Sequence, residues 1–146
     1  MKQIKTIIGV DPGVKTGIAI YTNGTLVELM TIKPTEFSRV LLDEKPGLVV
    51  FEDSREQKAV WTAPRVRGSA KLAVARKVGM VDGFCYLIEA YLDEFGIRFE
   101  KVSPLNKGSK LKAKAFKLTT GHTGMTNEHE RDAAMVARRF RFAKGL

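Results

Sequence analysis

The amino-acid sequence predicts an α/β fold in which a mixed β-sheet carries helices on both of its faces. Apolar, β-branched runs open the chain and recur in its middle, and stretches of helical periodicity alternate with them. The expected order of elements, βββαβαβαα, is typical of such a sheet. With 146 residues, 44% of them hydrophobic and 28% charged, the chain is expected to form one domain over residues 1–146.

The first part of the chain predicts an antiparallel meander. Residues 4–10 are rich in β-branched side chains and predict a buried strand, and residues 17–21 predict a second one. The Asn-Gly pair at 23–24 is a strong hairpin signal, so residues 26–32 form the expected third strand. Asp11 therefore lies at the bend that follows the first strand.

A helix and a second buried strand follow the meander. Thr35 stands at a typical helix start and is the expected cap, and the helix ends near Lys45. The continuous apolar run at 48–51 predicts a central strand that is covered on both faces. This strand ends in Glu52, so a second acid stands at the end of a second buried strand.

A polar, basic loop over 54–68 leads into a long predicted helix over 69–95. Its apolar stripe runs from Leu72 to Phe95 at helical spacing. Gly79 and Gly83 lie inside this helix and are expected to permit close packing, either on the sheet of the same chain or on a partner helix.

The last third of the chain predicts one strand and two helices. The strand is expected at 97–102 and a short helix at about 111–118. The final helix begins near Asn127, which forms the spacing of a capping box with Glu130.

Basic charge dominates the composition. Lys and Arg number 25 against 16 acids, which gives a net charge of +9. From residue 101 to residue 127 there are six lysines and no acid. Basic charge grouped in this way favours binding of a polyanion, above all nucleic acid, over a purely solubilising role. The single cysteine, Cys85, predicts a core residue and an intracellular setting, and no apolar run is long enough to span a bilayer.

Three acids on separate elements are expected to meet at one edge of the sheet. On the last helix, Asp132 and His129 share the side of the apolar residues, so Asp132 points toward the core. Asp11, Glu52 and Asp132 would repel one another unless a cation lies between them. Carboxylate oxygens favour Mg²⁺ or Mn²⁺, and a pair of such ions is a recurring device for hydrolysing phosphodiesters.

These motifs resemble those of the RuvC family of Holliday junction resolvases, which are members of the RNase H-like superfamily. Gly9-Val10-Asp11-Pro12-Gly13 with Gly17 looks like the first motif, and Val49-Val50-Phe51-Glu52 is similar to the second. His129-x-x-Asp132-Ala133-Ala134 resembles the third. The order and approximate spacing agree over most of the chain.

The resemblance implies a structure-specific endodeoxyribonuclease with two Mg²⁺ ions per active site, for which Mn²⁺ can substitute. Asp11 would bridge both ions, Glu52 would bind one and Asp132 the other. His129 would be a metal ligand or would handle a proton near the leaving group. Symmetric cleavage of a four-way junction needs two active sites, so a homodimer is implied, with the long helix as the candidate interface.

The chain is shorter than typical bacterial members of this family, which suggests a phage-type member that acts in the cytoplasm of a bacterial or phage-infected cell. It also leaves open any dependence on a branch-migration motor.

The sequence departs from the family pattern after Glu52. Family members commonly place an aromatic residue soon after the second acid, whereas here the first aromatic is Trp61, either a wedge that stacks on DNA or an anchor of its own loop. The other predicted contacts to DNA are basic: Arg65, Arg67, Lys107, Lys110, Lys112 and Lys114.

Two alternatives remain open at the level of sequence. The turn Asp-x-Gly-x-x-x-Gly also resembles the phosphate-binding turn of sugar-kinase and actin-like ATPases, although these need two lobes. A catalytically silent module that holds junctions by its lysines is the other alternative. The three acids argue against that module, because they repel DNA unless a metal is bound.

Overall fold

The computed structural model describes residues 1–56, 68–106 and 108–146, and a five-stranded mixed sheet forms its centre. The strand order is β3-β2-β1-β4-β5. Antiparallel pairing joins β1 to β2 and β2 to β3, whereas β4 is parallel to both β1 and β5. The strands are β1 (Thr6–Asp11), β2 (Thr16–Thr22), β3 (Thr25–Ile32), β4 (Leu48–Glu52) and β5 (Phe99–Val102).

Among the described residues, four α-helices cover the two faces of this sheet. They are α1 (Phe37–Glu44), α2 (Gly68–Glu94), α3 (Ala113–Thr120) and α4 (Glu128–Arg138). On one face, α1 and α2 pack on the side chains of Ile8, Val10 and Phe51. On the other face, α3 and α4 pack on Ile7 and Val50. The predicted α/β class, with a mixed sheet between two helical layers, is therefore confirmed.

The predicted hairpin between β2 and β3 is also confirmed. Asn23 and Gly24 both have positive φ, at 51° and 81°, which is the backbone that a tight two-residue turn requires. Smaller shifts occur later in the chain. The strand β5 begins at Phe99 and α3 at Ala113, each two residues after its predicted start.

Thr35 is not a helix cap, so this prediction is wrong. Pro34 starts a 3₁₀ turn that contains Thr35 and leads directly into α1. The Glu36 carboxylate accepts a hydrogen bond from the backbone N–H of Lys33 at 3.1 Å. An acid three residues downstream thus satisfies a donor at the start of this turn.

Only the C-terminal half of α2 is packed on the sheet. Cys85, Ile88 and Leu92 are buried, but Leu72 and Met80 remain about half exposed. Within the part of the chain that the structure describes, a Cβ atom at Gly79 or Gly83 would meet nothing within 4 Å. Packing of these glycines on the sheet of the same chain is therefore excluded.

Among the described helices, none combines the length and the apolar character needed to cross a membrane.

Candidate active site

Asp11 and Glu52 lie side by side at one edge of the sheet. They follow the paired residues Val10 and Phe51 at the ends of the parallel strands β1 and β4. Val10 and Phe51 face the layer of α1 and α2, so alternation along each strand directs both acids toward the α4 layer. Topology alone thus brings the two predicted carboxylates to one place.

Two glycines allow α4 to lie close above these strands. A Cβ at Gly17 would overlap the carbonyl oxygen of His129, and a Cβ at Gly9 would overlap that of Ala133. The helix backbone therefore rests on strand backbone at both points. This close approach sets how far the side chains of α4 stand from Asp11.

The start of α4 is fixed by a capping box that also reaches β3. The Asn127 side chain accepts a hydrogen bond from Glu130 N at 2.9 Å, and the Glu130 carboxylate accepts one from Asn127 N at 3.1 Å. Asn127 Nδ2 also donates to Thr31 Oγ1 at 2.7 Å. The predicted cap is confirmed, and it holds the first turn of α4 in register with the sheet.

From this fixed turn, His129 and Asp132 point toward the acids. His129 Nδ1 lies 3.4 Å from Asp11 Oδ2, and His129 Nε2 lies 3.8 Å from a carboxylate oxygen of Glu128. Asp132 is buried, and its Oδ2 lies 3.3 Å from the Lys110 ammonium. Contact with Asp132 first, and the charges of Asp11 and Glu128 after it, raise the pKa of Lys110, so this lysine is positively charged at neutral pH.

All four predicted catalytic residues line one open cavity of about 490 Å³. Glu128, Lys110 and Lys15 line the same cavity. Glu128 was not among the predicted site residues, although it stands four residues before Asp132 and therefore shares its face of α4. That spacing was the signal that could have identified Glu128.

The donors in this cavity suit a hard divalent ion, because they are carboxylates and one imidazole. In residues 1–56, 68–106 and 108–146, no three His, Cys, Asp or Glu side chains form a group that could hold an ion as they stand. The carboxylate of Asp11 contacts the His129 imidazole, and the carboxylate of Asp132 contacts the Lys110 ammonium. Both carboxylates thus face a nitrogen atom of a side chain in this structure. The chemistry of the donors thus fits a metal, and assembly of a ligand set requires movement of side chains.

Asp53 lies on the other side of the sheet from Glu52 and has a structural partner. Its carboxylate is buried and accepts two hydrogen bonds of 2.8 Å from the Arg55 guanidinium. Burial by itself would raise the pKa of Asp53, but hydrogen bonds and charge from Arg55, with the charge of Lys101, outweigh it and lower the pKa. Arg55 also forms an ion pair with Glu89 on α2, with 3.5 Å between Arg55 Nη2 and Glu89 Oε2. Asp53 therefore belongs to an ion-pair network that joins the end of β4 to α2.

Cys85 lies in the core between α2 and the sheet, as predicted. Its side chain is fully buried, and burial raises the pKa of its thiol. The thiol is therefore neutral and structural.

The predicted DNA contacts divide into three groups. Lys112 and Lys114 are exposed at the start of α3, and Lys114 lines a second open cavity of about 310 Å³. Lys110 lies against Asp132 in this structure, although it was predicted to contact phosphate. Four further predicted residues lie outside the described part of the chain: Trp61, Arg65, Arg67 and Lys107.

Comparison of the fold with solved structures places the chain in a known class. No protein-family model matches the sequence, and no curated protein matches it. The structure nevertheless superposes on Thermus thermophilus RuvC in complex with a Holliday junction substrate, with a TM-score of 0.62 and 19% sequence identity. This match covers 94% of this chain and 93% of the other.

A second structure of Thermus thermophilus RuvC gives a TM-score of 0.59 at 16% identity, with the same coverage of both chains. The chain therefore has an RNase H-like fold. Within that fold, its architecture is similar to that of RuvC.

Proposed function

We propose that this protein is a metal-dependent endonuclease that nicks branched DNA, with four-way junctions as its preferred substrate. The observation that carries the proposal is the convergence of Asp11, Glu52, His129 and Asp132 on one open cavity. The RuvC-like fold supports it, because one of the similar structures is a RuvC bound to a Holliday junction. The net charge of +9 supports it as well, since DNA is a polyanion.

Asp11 would bridge two Mg²⁺ or Mn²⁺ ions, Glu52 would hold one of them and Asp132 the other. When bound, such ions activate an attacking water and neutralise the charge that develops at the leaving oxygen. The cavity that these residues line is open to the solvent.

The chain itself contributes orientation and proton handling. His129 Nδ1 lies 3.4 Å from Asp11 Oδ2, so the imidazole is within reach of the atoms that Asp11 would contact. His129 would thus be a metal ligand or would give a proton to the leaving oxygen. Lys112 and Lys114, which are exposed at the start of α3, would hold the flanking phosphates.

A cleavage assay on labelled four-way junction, duplex and single-stranded DNA tests this proposal. Each substrate is incubated with Mg²⁺, with Mn²⁺ and with EDTA. We expect nicking of the junction in either metal, no nicking in EDTA, and weaker action on the linear substrates. Binding without nicking in either metal would indicate the silent junction-binding module, and ATP hydrolysis without nicking would indicate the ATPase.

Asp11→Asn provides the test of the residues. We expect this variant to lose cleavage while it still binds the junction, because Asn keeps the shape but removes the charge that holds the ions. Asp43→Asn is the matched control, since Asp43 is an exposed acid on α1 on the opposite side of the sheet. Cleavage by the Asp11 variant at the wild-type rate would contradict the proposed site.

We further propose that the protein acts as a homodimer through the exposed half of α2. Leu72 and Met80 are exposed in this half of the helix, by 53% and 47%. The open space beside Gly79 and Gly83 would let a partner helix approach closely. Symmetric cleavage of a four-way junction requires two such sites.

Sedimentation measurements test the dimer. We expect a dimer for the wild-type protein and a monomer for Met80→Glu, which puts a charge into the interface. Val27→Glu is the control, because Val27 is an exposed apolar residue on the distant strand β3. A monomeric wild-type protein, or a dimeric Met80→Glu variant, would contradict this interface.

A further inference from the structure

The Lys110 ammonium covers the carboxylate of Asp132 from the solvent side. Lys110 Nζ and Asp132 Oδ2 are 3.3 Å apart. The lysine side chain is 64% exposed, whereas that of the aspartate is only 10% exposed. The buried partner is thus fixed and the exposed partner has room to move.

The backbone that carries Lys110 is tied to α4 beside Asp132. Arg131 Nε donates to the carbonyl of Leu111 at 3.0 Å, and Arg131 Nη1 donates to the carbonyl of Thr126 at 3.0 Å. The hydrogen bond to Leu111 therefore keeps the backbone of Lys110 close to Asp132, while the long side chain of Lys110 stays flexible.

Lys110 also stands between two cavities. Lys110 and Asp132 line the open cavity of about 490 Å³ that contains Asp11. The same pair lines a smaller cavity of about 130 Å³ on the other side, toward Asn106 and Arg139. Open space thus adjoins the Lys110–Asp132 pair in both cavities.

We propose that Lys110 is a displaceable counterion of Asp132. In the metal-free protein it neutralises this buried carboxylate. A divalent ion that binds Asp132 takes over that charge and releases the ammonium, which then becomes free to contact a DNA phosphate. This inference rests on the proposed function, since it presupposes a metal at Asp132.

Displacement couples the metal to DNA. A metal ion that frees Lys110 adds one cation to the surface that meets the polyanion. By linkage, DNA that holds the freed Lys110 raises the affinity for the metal by the same factor. The protein would therefore load metal most readily when its substrate is present.

Competitive labelling of lysine amines, read by mass spectrometry, tests the displacement directly. We expect Mn²⁺ to increase the acetylation rate of Lys110 by about two- to fivefold, the range that corresponds to a partly exposed ion pair. Lys15 lines the same cavity and is the internal control. A general effect of the bound charge would accelerate Lys15 as well, whereas displacement is specific to Lys110.

Calorimetric titration with Mn²⁺ supplies the second measurement. Lys110→Met keeps the aliphatic stem and removes the competitor, so we expect Mn²⁺ to bind about two- to fivefold more tightly. Lys15→Met controls for the loss of one positive charge in the cavity and should change the affinity less. In Asp132→Asn, Lys110 should be acetylated rapidly and Mn²⁺ should not alter that rate.

The outcomes separate this inference from the proposed function. No Mn²⁺ binding to the wild-type protein would overturn both. Mn²⁺ binding with an unchanged labelling rate at Lys110 would overturn the displacement and leave the metal-dependent nuclease standing. Equal gains in affinity for Lys110→Met and Lys15→Met would likewise contradict a specific counterion.

Discussion

Replacement of Gly17 by alanine tests whether close packing of α4 sets the geometry of the site. The new Cβ would overlap the carbonyl oxygen of His129 and would lie 3.1 Å from the backbone nitrogen of Glu130. Both atoms belong to the first turn of α4, which the cap at Asn127 holds in place. Neither can move without the turn as a whole.

The size of the effect follows from this overlap. Carbon and oxygen atoms pack at roughly 3.5 Å, so the first turn of α4 must retreat by about 1 Å or more. The retreat carries His129 and Asp132 away from Asp11. A misplacement of about 1 Å can reduce a rate about 100-fold. Overpacking of this kind also lowers the free energy of unfolding by about 1–3 kcal/mol.

Single-turnover nicking of a labelled junction and urea denaturation measure the two effects. Gly47→Ala is the matched control, because its Cβ would lie 2.6 Å from Cγ2 of Ile4 at the opposite end of β4 from Glu52. We expect Gly47→Ala to lose stability and to keep its nicking rate, whereas Gly17→Ala loses both. Nicking by Gly17→Ala at the wild-type rate would refute the reasoning.

Three further predictions concern stability. Asp53→Asn should lower the free energy of unfolding by about 1–3 kcal/mol at pH 7, because Arg55 loses the nearer of its two charged partners. The folded pKa of Asp53 is lowered, so its contribution is present above its unfolded pKa of about 3.9 and is lost as pH falls through the folded value; denaturation at pH 3 should therefore show a smaller difference. Asn127→Ala should lower the free energy of unfolding, measured by urea denaturation, by about 1 kcal/mol, because the Asn127 side chain no longer accepts a hydrogen bond from Glu130 N. Asn127→Gly should lower it by only a few tenths of a kcal/mol, because glycine is itself favoured at the N-cap position. Mn²⁺ at a hundredfold excess over its Kd should stabilise the wild-type protein by about 2.7 kcal/mol in thermal denaturation, reversibly with EDTA, and should stabilise Asp11→Asn less.

Local patterns were sufficient to predict most of the elements and the positions of the acids. The strand that ends at Asp11, the strand that ends at Glu52 and the capped start of α4 each depend on a few adjacent residues. Periodicity within α4 also placed Asp132 on the core side, where the structure finds it buried. Alternation and helical spacing act over short distances, so a single sequence contains them.

Contacts between distant segments could not be predicted in the same way. Gly17 was recognised as part of the first motif, but nothing in the sequence identified the carbonyl of His129 as the group that lies against it. The stripe on α2 predicted an apolar face from Leu72 onward, yet periodicity does not tell what covers a face, and the structure leaves its first half exposed. Lys110 belongs to a segment without a periodic pattern, so its contact with Asp132 could not be predicted from the sequence.

The site combines carboxylates held by backbone with a cation held by a flexible side chain. Asp11 and Glu52 are positioned by strand pairing, and Asp132 is positioned by the backbone contacts of α4 at Gly9 and Gly17. Lys110, in contrast, is mostly exposed. Gly17→Ala should therefore lower the nicking rate even at saturating Mn²⁺. Lys110→Met should instead lower the Mn²⁺ concentration at which the rate is half-maximal. A Mn²⁺ titration of nicking separates the two, and a lower maximal rate with an unchanged midpoint for Lys110→Met would show that this lysine acts on DNA alone.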